Sequence, residues 1–393
     1  MTSLPPQRWR IIALFFLHAL TSGAIHTRIP DIQLQIGLNE AQLGMVLMGL
    51  PLGALSMFLF SSRVIEAFGP RRIILWVMPV MTVSAALMSV LLNPFAMFAL
   101  LAINGMGFSV SNIAINVEAD RVEAATGVRV MNTCHGVWSL GFLLTSLLGA
   151  ALRGFDVSPA WHLWVLSPIA SLLLLAVVLP MRSAPERAHS GAAKRKLAWP
   201  TLATLALVGF GLGAAMLEGA SRAWSIIYLR DNFMVPAWVE SLALPALLAS
   251  MALGRLLADR WIDRFGPVRV ARVLASIAFG GLILVVLAPS YQAVLAGFGL
   301  VGLGICVLYP LTLSAAARLG DRPASENVAS ITLIIQLVNL GSPLLIGWVA
   351  QQFGIRTAFS MLLPMLVLTW IMARKLAPKS RDASDAVGEP KAA

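Results

Sequence analysis

Charge is what this chain lacks. Only 12% of its 393 residues are Asp, Glu, Lys or Arg, about half the share found in soluble domains. With 58% hydrophobic residues, a water-soluble fold of this composition could not cover its own surface, which excludes an ordinary globular enzyme. Disorder, collagen and disulfide scaffolds are excluded on the same grounds. The two cysteines, Cys134 and Cys306, lie in apolar runs and argue against a structural disulfide. The few histidines and cysteines lack ligand spacing, so no metal or other cofactor is expected. No Gly-x-x-x-x-Gly-Lys-Ser/Thr loop occurs, which disfavours ATP-driven pumping. The net charge is +11. On a soluble protein that excess would suggest nucleic acid; here its placement decides, and nucleic acid is not an expected partner.

What is present is a succession of uncharged stretches: 11–27, 41–62, 73–117, 130–152, 157–181, 197–217, 241–254, 273–317, 327–355 and 357–373. Each of the two 45-residue stretches would reach ~67 Å as one helix, twice the ~30 Å hydrocarbon core. Each must fold back once, and Asn93-Pro94 and Pro289-Ser290 mark the turns. Twelve transmembrane helices follow. A β-barrel would need polar and apolar residues to alternate. With both termini cytoplasmic, five basic residues (Arg28, Arg153, Arg222, Arg230 and Arg356) fall on or near the outer side and the remaining 24 of 29 inside, the asymmetry the positive-inside rule requires. The first stretch lacks an A-x-A-like cleavage site and reads as a retained helix.

The two halves repeat. Arg63-Val64-Ile65-Glu66-Ala67-Phe68-Gly69-Pro70 recurs as Arg260-Trp261-Ile262-Asp263-Arg264-Phe265-Gly266-Pro267, an offset of 197 residues. The same offset carries Gly105-Met106-Gly107 onto Gly302-Leu303-Gly304, and Arg121 onto Arg318. Parallel six-span repeats are a transporter architecture with the solute site near the midplane between halves. On these residues the chain resembles the major facilitator superfamily of secondary transporters over its whole length. The repeated loop is similar to that family's signature between spans 2 and 3 and between spans 8 and 9. The second copy keeps Asp263, Arg264, Gly266 and Arg269; the first has Ser62, Glu66 and Ala67 in place of Gly, Asp and Arg, and retains Gly69, Arg71 and Arg72. The family's span-4 Arg motif and the Gly-Pro antiporter motif of span 5 are absent. Thr27-Arg28-Ile29-Pro30-Asp31-Ile32, Ala114-Ile115-Asn116-Val117, His135-Gly136-Val137-Trp138-Ser139-Leu140-Gly141 and Glu218-Gly219 resemble a bacterial branch of uncharacterised permeases that includes a membrane protein of the rhizopine locus. That branch carries an acid before the span-7 Trp, where this chain has Ala223-Trp224.

The chemistry-bearing candidates are polar residues at depth. Glu218 is the one acid well inside an expected span, and Arg222 lies one turn on in the favourable order for a same-face pair. Intramembrane acids are functional by default, so Glu218 is read as a proton-coupling carboxylate, against a structural pair with Arg222. An offset of 196 places His26 opposite Arg222. His26 is a second proton-coupling candidate, and His26 and Arg28 are substrate-binding candidates or interfacial residues. His18 is more isolated. Asn112 and Asn116 share a face of span 4 and offer donors and acceptors to hydroxyl-rich solutes, or hydrogen-bond neighbouring helices. His135 and Trp138 share a face of span 5. Trp224, Tyr309 beside Pro310, and Gln336 with Asn339 ahead of a break at Gly341-Ser342-Pro343 complete the substrate-binding set. The resemblance implies a gating latch of Glu118 and Asp120 with Arg71 and Arg72, and gating roles for Glu66, Asp263, Arg264 and Arg269.

The expected architecture is all-α. A six-helix bundle over 1–181, a cytoplasmic linker over 182–198, a second bundle over 199–375 and a disordered tail over 376–393 follow in order. The expected function is secondary active transport of a small polar solute, sugar- or cyclitol-like, across a bacterial inner membrane by alternating access with proton coupling. The expected partners are that solute, protons and the bilayer, and the expected state is a monomer. The alternatives are an exporter of a siderophore-like or drug-like metabolite and, from another class, a membrane-embedded sensor.

Overall fold

The computed structural model describes residues 5–181 and 199–377. The linker expected at 182–198 lies outside the described residues, as does the expected tail apart from Leu376 and Ala377. Among the described residues, twelve helices are long and apolar enough to cross a membrane and there is no strand. In chain order these spans 1 to 6 are Gln7–Thr27, Glu40–Phe68, Pro70–Met88, Pro94–Thr126, Met131–Gly154 and Pro159–Val178; spans 7 to 12 are Leu202–Asn232, Ala237–Phe265, Pro267–Leu287, Tyr291–Ala317, Glu326–Phe353 and Ile355–Leu376. An even number of crossings returns the chain to the face it started from. That side is the terminal face below, and the opposite side the distal face.

Local chemistry sets the helix ends. Asn93 accepts from the Phe95 and Ala96 N–H groups to start span 4, and Ser290 accepts from Ala293 to start span 10. These caps satisfy otherwise orphaned amides and stand 197 residues apart, the repeat offset. Span 2 opens on a reciprocal capping box between Asn39 and Gln42. The repeated loops share one backbone: Gly69 has φ 75°, ψ 147° and Gly266 φ 78°, ψ 155°, a region open essentially to glycine alone.

The packing repeats at the same offset. A Cβ on Gly105 would lie 2.0 Å from the Leu50 carbonyl oxygen, and one on Gly302 lies 2.2 Å from that of Leu247. Gly107 rests on Met81 and Gly304 on Ala278. Both contacts of the first half thus map onto their counterparts 197 residues on. The two halves are therefore one six-helix unit built twice, with small residues admitting close helix contact.

Two proline sites behave differently. Span 10 breaks between the helices Tyr291–Ile305 and Leu308–Ala317, because Pro310 lacks the N–H that would reach Cys306 four residues back. Arg255 of span 8 takes that carbonyl, its Nε donating to Cys306 O at 2.9 Å. In span 11 the break expected at Gly341-Ser342-Pro343 is not made: the helix runs from Ala324 to Phe353 through Pro343. Intramembrane helices tolerate proline where neighbours compensate the freed backbone.

The halves meet through spans 2 and 11, where Gly44 packs on Pro343 and Gly347, and through spans 5 and 8. Their cross-half polar contacts gather at the distal face. Arg153, at the end of span 5, is buried and donates Nε to Asp31 Oδ1 (3.0 Å), Nη1 to Ser241 Oγ (2.7 Å) and to the Ala237 carbonyl (2.9 Å), and Nη2 to Glu240 Oε2 (3.0 Å). Arg230 donates to Gln33 Oε1 at 3.1 Å. The Gln351 side-chain oxygen accepts from the Glu40 N–H at 3.2 Å. The distal end is thereby sealed.

Candidate functional site

Beneath this seal lies a cavity of about 430 Å³ between the halves, within the size range of small-molecule sites. Span 1 contributes Ser22 and His26, span 4 Asn104 and Phe108, and span 5 Trp138 and Phe142; span 7 contributes Glu218, Arg222 and Trp224, and span 11 Gln336, Asn339 and Ser342.

Its charged centre is on span 7. Arg222 Nη2 and Nε both donate to Glu218 Oε1, at 2.8 and 3.2 Å, a pair four residues apart on one helix face. The side chains keep 18% and 24% of their surface exposed, so both reach the cavity. The Arg222 guanidinium also lies 4.8 Å over the ring of Phe142 from the other half, a cation–π contact spanning the interface. Phe142 in turn packs on His26 at 5.7 Å and on Trp138 at 5.4 Å between ring centres. His26 and Arg222, matched at an offset of 196 residues, thus face one another across a shared phenyl ring.

Behind the wall stands His18, fully buried. Trp138 Nε1 donates to His18 Nδ1 at 3.2 Å, and His18 Nε2 lies 3.0 Å from Ser111 Oγ. Indole N–H is a donor only, so His18 Nδ1 accepts and Nε2 carries the proton to Ser111. Ser111 then donates to the Gly107 carbonyl at 2.6 Å. His18 fixes the indole that forms the cavity wall. Three lining residues hold buried polar atoms with no hydrogen-bond partner: His26 Nδ1, Trp224 Nε1 and Asn339 Oδ1. Buried polar groups are normally paired; here an indole donor, an amide oxygen and an imidazole nitrogen border one cavity without a partner.

Of the sequence candidates, His26, Trp138, Glu218, Arg222, Trp224, Gln336 and Asn339 come together here. Arg28 does not: it is buried at the distal face, giving Nε to His162 Nδ1 at 2.9 Å and Nη1 to Asp31 Oδ2 at 3.1 Å. Burial lowers its pKa from the usual arginine value, and Asp31 opposes that shift. Asn112 and Asn116 sit towards the terminal face, where Asn116 Nδ2 donates to the Asn112 carbonyl at 2.8 Å. His135 is exposed with its ring 5.3 Å from Phe15, and Tyr309 is half-buried; none of these four lines the cavity. Glu118 is fully buried and lies 3.8 Å from Arg121, and Asp120 is half-buried beside it. Arg71 gives its guanidinium to the Val178 and Leu179 carbonyls at 3.1 and 2.7 Å, capping span 6. A latch to Glu118 or Asp120 is thus not made by Arg71 in this conformation. Glu66, Arg72, Asp263, Arg264 and Arg269 are exposed at the terminal face.

Sequence reasoning missed Asn104, whose Nδ2 donates to the Met81 carbonyl at 2.9 Å. It also missed the cross-half role of Arg153 and Glu240, and the mid-span Arg255. An arginine inside a charge-poor stretch was the available signal for Arg255. Glu118 and Glu240 are also buried within helices, Glu118 in the terminal third of span 4 and Glu240 at the distal end of span 8.

The model of the Major Facilitator Superfamily matches residues 11–320 and 226–392. An uncharacterized transporter of Sinorhizobium fredii is 29% identical over 354 residues, covering 89% of this chain and 93% of that one. The membrane protein MosC of Rhizobium meliloti is 26% identical over 359 residues, covering 90% and 86%. A solved D-xylose–proton symporter shares the fold with a TM-score of 0.73 at 13% identity, covering 97% and 99%.

Proposed function

The chain belongs to the major facilitator superfamily of transporters, and from that premise we propose that it moves a small, hydroxylated organic solute across a bacterial inner membrane by alternating access, coupled to protons through Glu218. The observation that carries this reading is the cavity in which the Glu218–Arg222 pair and the Gln336 and Asn339 amides face Trp138 and Phe142. Amides offer donors and acceptors to hydroxyls. Aromatic rings offer a face to the apolar side of the same solute, and an adjacent acid–base pair supplies a titratable centre. A neighbour of the same fold is a D-xylose–proton symporter, which supports a sugar-sized cargo. The basic residues crowd the terminal face, so that face is the cytoplasmic one and both termini are inside. The cross-half contacts gathered at the distal face support reading this as the inward-facing state. The first six spans and the last six are the moving bodies, and the protein acts as a monomer.

The experiment is solute counterflow in proteoliposomes across a panel of sugars, cyclitols and their acids. Exchange of one class that Glu218→Gln leaves intact, with loss of ΔpH-driven accumulation, supports the reading. Export-only activity towards a large amphiphile would replace it by an exporter.

A further inference from the structure

The cavity region holds more positive charge than negative. Glu218 is its acid, and it is already paired with Arg222. Next to them, a narrow hollow of about 10 Å³, the size of one small polar group, is bordered by Trp138, Phe142, Arg222, Met251 and a second guanidinium, Arg255. Arg255 lies within span 8, about ten residues before its terminal-face end, and is half-buried. Its Nε is used on the Cys306 carbonyl that Pro310 frees, at 2.9 Å. That bond fixes the plane of the guanidinium and leaves the two Nη groups. Among the described residues, no carboxylate stands within ion-pair distance of Arg255. Its field nevertheless reaches Glu218, and it borders the same hollow as Arg222.

An uncompensated cation at membrane depth is costly and marks a ligand path. A strut for span 10 would require one donor towards Cys306, which an uncharged side chain could supply. A planar, permanently charged fork suits bidentate recognition of an anion. Two guanidinium groups against one carboxylate leave a single positive charge, which one carboxylate neutralises; a phosphate monoester would overshoot.

We propose that the transported solute is a hydroxylated monocarboxylic acid, and that its carboxylate binds in the hollow between Arg255 and Arg222 while its hydroxyls meet the amides of span 11. This rests on the transport reading above and names the class of cargo.

The test is thermal unfolding of the purified full-length protein with a panel of sugar acids and hydroxy acids, each matched to its neutral form, with glucose 6-phosphate as the phosphate arm. D-gluconate and D-glucuronate against D-glucose, at constant ionic strength, are the core comparison. At ~100 times the dissociation constant, an acid of the panel should raise the midpoint by roughly 2–4 °C. Its neutral partner and the phosphate should not. Arg255→Gln should abolish the gain and Arg255→Lys retain part of it. Without solute, Arg255→Gln should unfold at the wild-type temperature or above, because an uncompensated charge has been removed. Equal stabilisation by the neutral forms, stabilisation by the phosphate alone, or none by any acid overturns the proposal. So does a solute-free Arg255→Gln midpoint several degrees below wild type, which would make Arg255 a strut of span 10. Stabilisation by an acid that no proteoliposome assay sees exchanged would instead sink the transport reading and leave the acid site standing.

Discussion

Gln33 and Arg230 stand 197 residues apart, and Arg230 Nη1 donates to Gln33 Oε1 at 3.1 Å. The spacing is that of the repeat, so two residues equivalent under the internal symmetry touch each other. They therefore lie where the axis relating the halves leaves the distal face. Each stands seven residues before the first residue of span 2 or span 8. Around this point Arg153 ties Asp31 of one half to Glu240 of the other.

That seal predicts a gating phenotype. Arg153→Gln strips the buried Glu240 of its partner and leaves the half-buried Asp31 with Arg28 alone, and breaking a buried pair typically costs about 3–5 kcal/mol. The expected outcome is a lower unfolding midpoint together with faster labelling of a cysteine placed at Ser22 by a reagent added from the distal side. Unchanged labelling would show that the cluster stabilises the fold without holding the gate.

The His18–Trp138 bond predicts a graded effect on solute affinity. His18→Asn keeps an acceptor near the Nδ1 position and should bind close to wild type. His18→Leu should weaken binding by about tenfold, the scale of one lost hydrogen bond that leaves a buried donor unpaired. In a Trp138→Phe background the His18→Leu change should add little. Full additivity in that double-mutant cycle would contradict a positioning role.

The repeated glycines predict matched damage. Gly105→Ala and Gly302→Ala each drive a Cβ into a facing carbonyl, and overpacking of this kind costs roughly 1–3 kcal/mol. Gly219→Ala meets nothing within 4 Å and should be neutral. Unfolding midpoints of the three variants decide it, and a harmless Gly105→Ala would undo the symmetric packing described above.

Asp321, exposed in the loop between spans 10 and 11, accepts from Asn327 Nδ2, which with its other contacts holds the carboxyl below the usual value of 3.8. A depressed folded-state pKa means its contribution is present above the unfolded value and fades as pH falls through the folded one. The difference in midpoint between wild type and Asp321→Asn should therefore be flat from pH 5 to 8 and shrink below about pH 4. A difference that grows on acidification would reverse the assignment.

Much of the fold was legible because a bilayer permits few solutions. Uncharged runs of fixed length have to be helices, and Asn93-Pro94 and Pro289-Ser290 had to be turns because no helix of double length fits. The continuity of span 11 through Pro343 was not legible, since whether proline breaks a helix depends on what neighbours do for the freed carbonyl. The site was half legible. Polarity at depth identified Glu218 and Arg222, and the helical spacing of Gln336 and Asn339 held. Asn104 and Arg255 were missed because contact across helices is set by packing, which no run of residues along one chain displays. Arg28 reads as a binding group from its place beside His26 at the outer end of span 1, and its neighbourhood of Asp31, Arg153 and His162 emerges only when spans 1, 5 and 6 are assembled.

The central claim is that Glu218 couples solute movement to protons, and one measurement meets it directly. Glu218→Gln keeps the shape of the side chain and removes its titration. In proteoliposomes carrying only a ΔpH, the wild type should accumulate solute against its gradient, while Glu218→Gln should exchange solute down its gradient and accumulate none. Accumulation by Glu218→Gln at the wild-type level would contradict the account and leave Glu218 as a structural partner of Arg222.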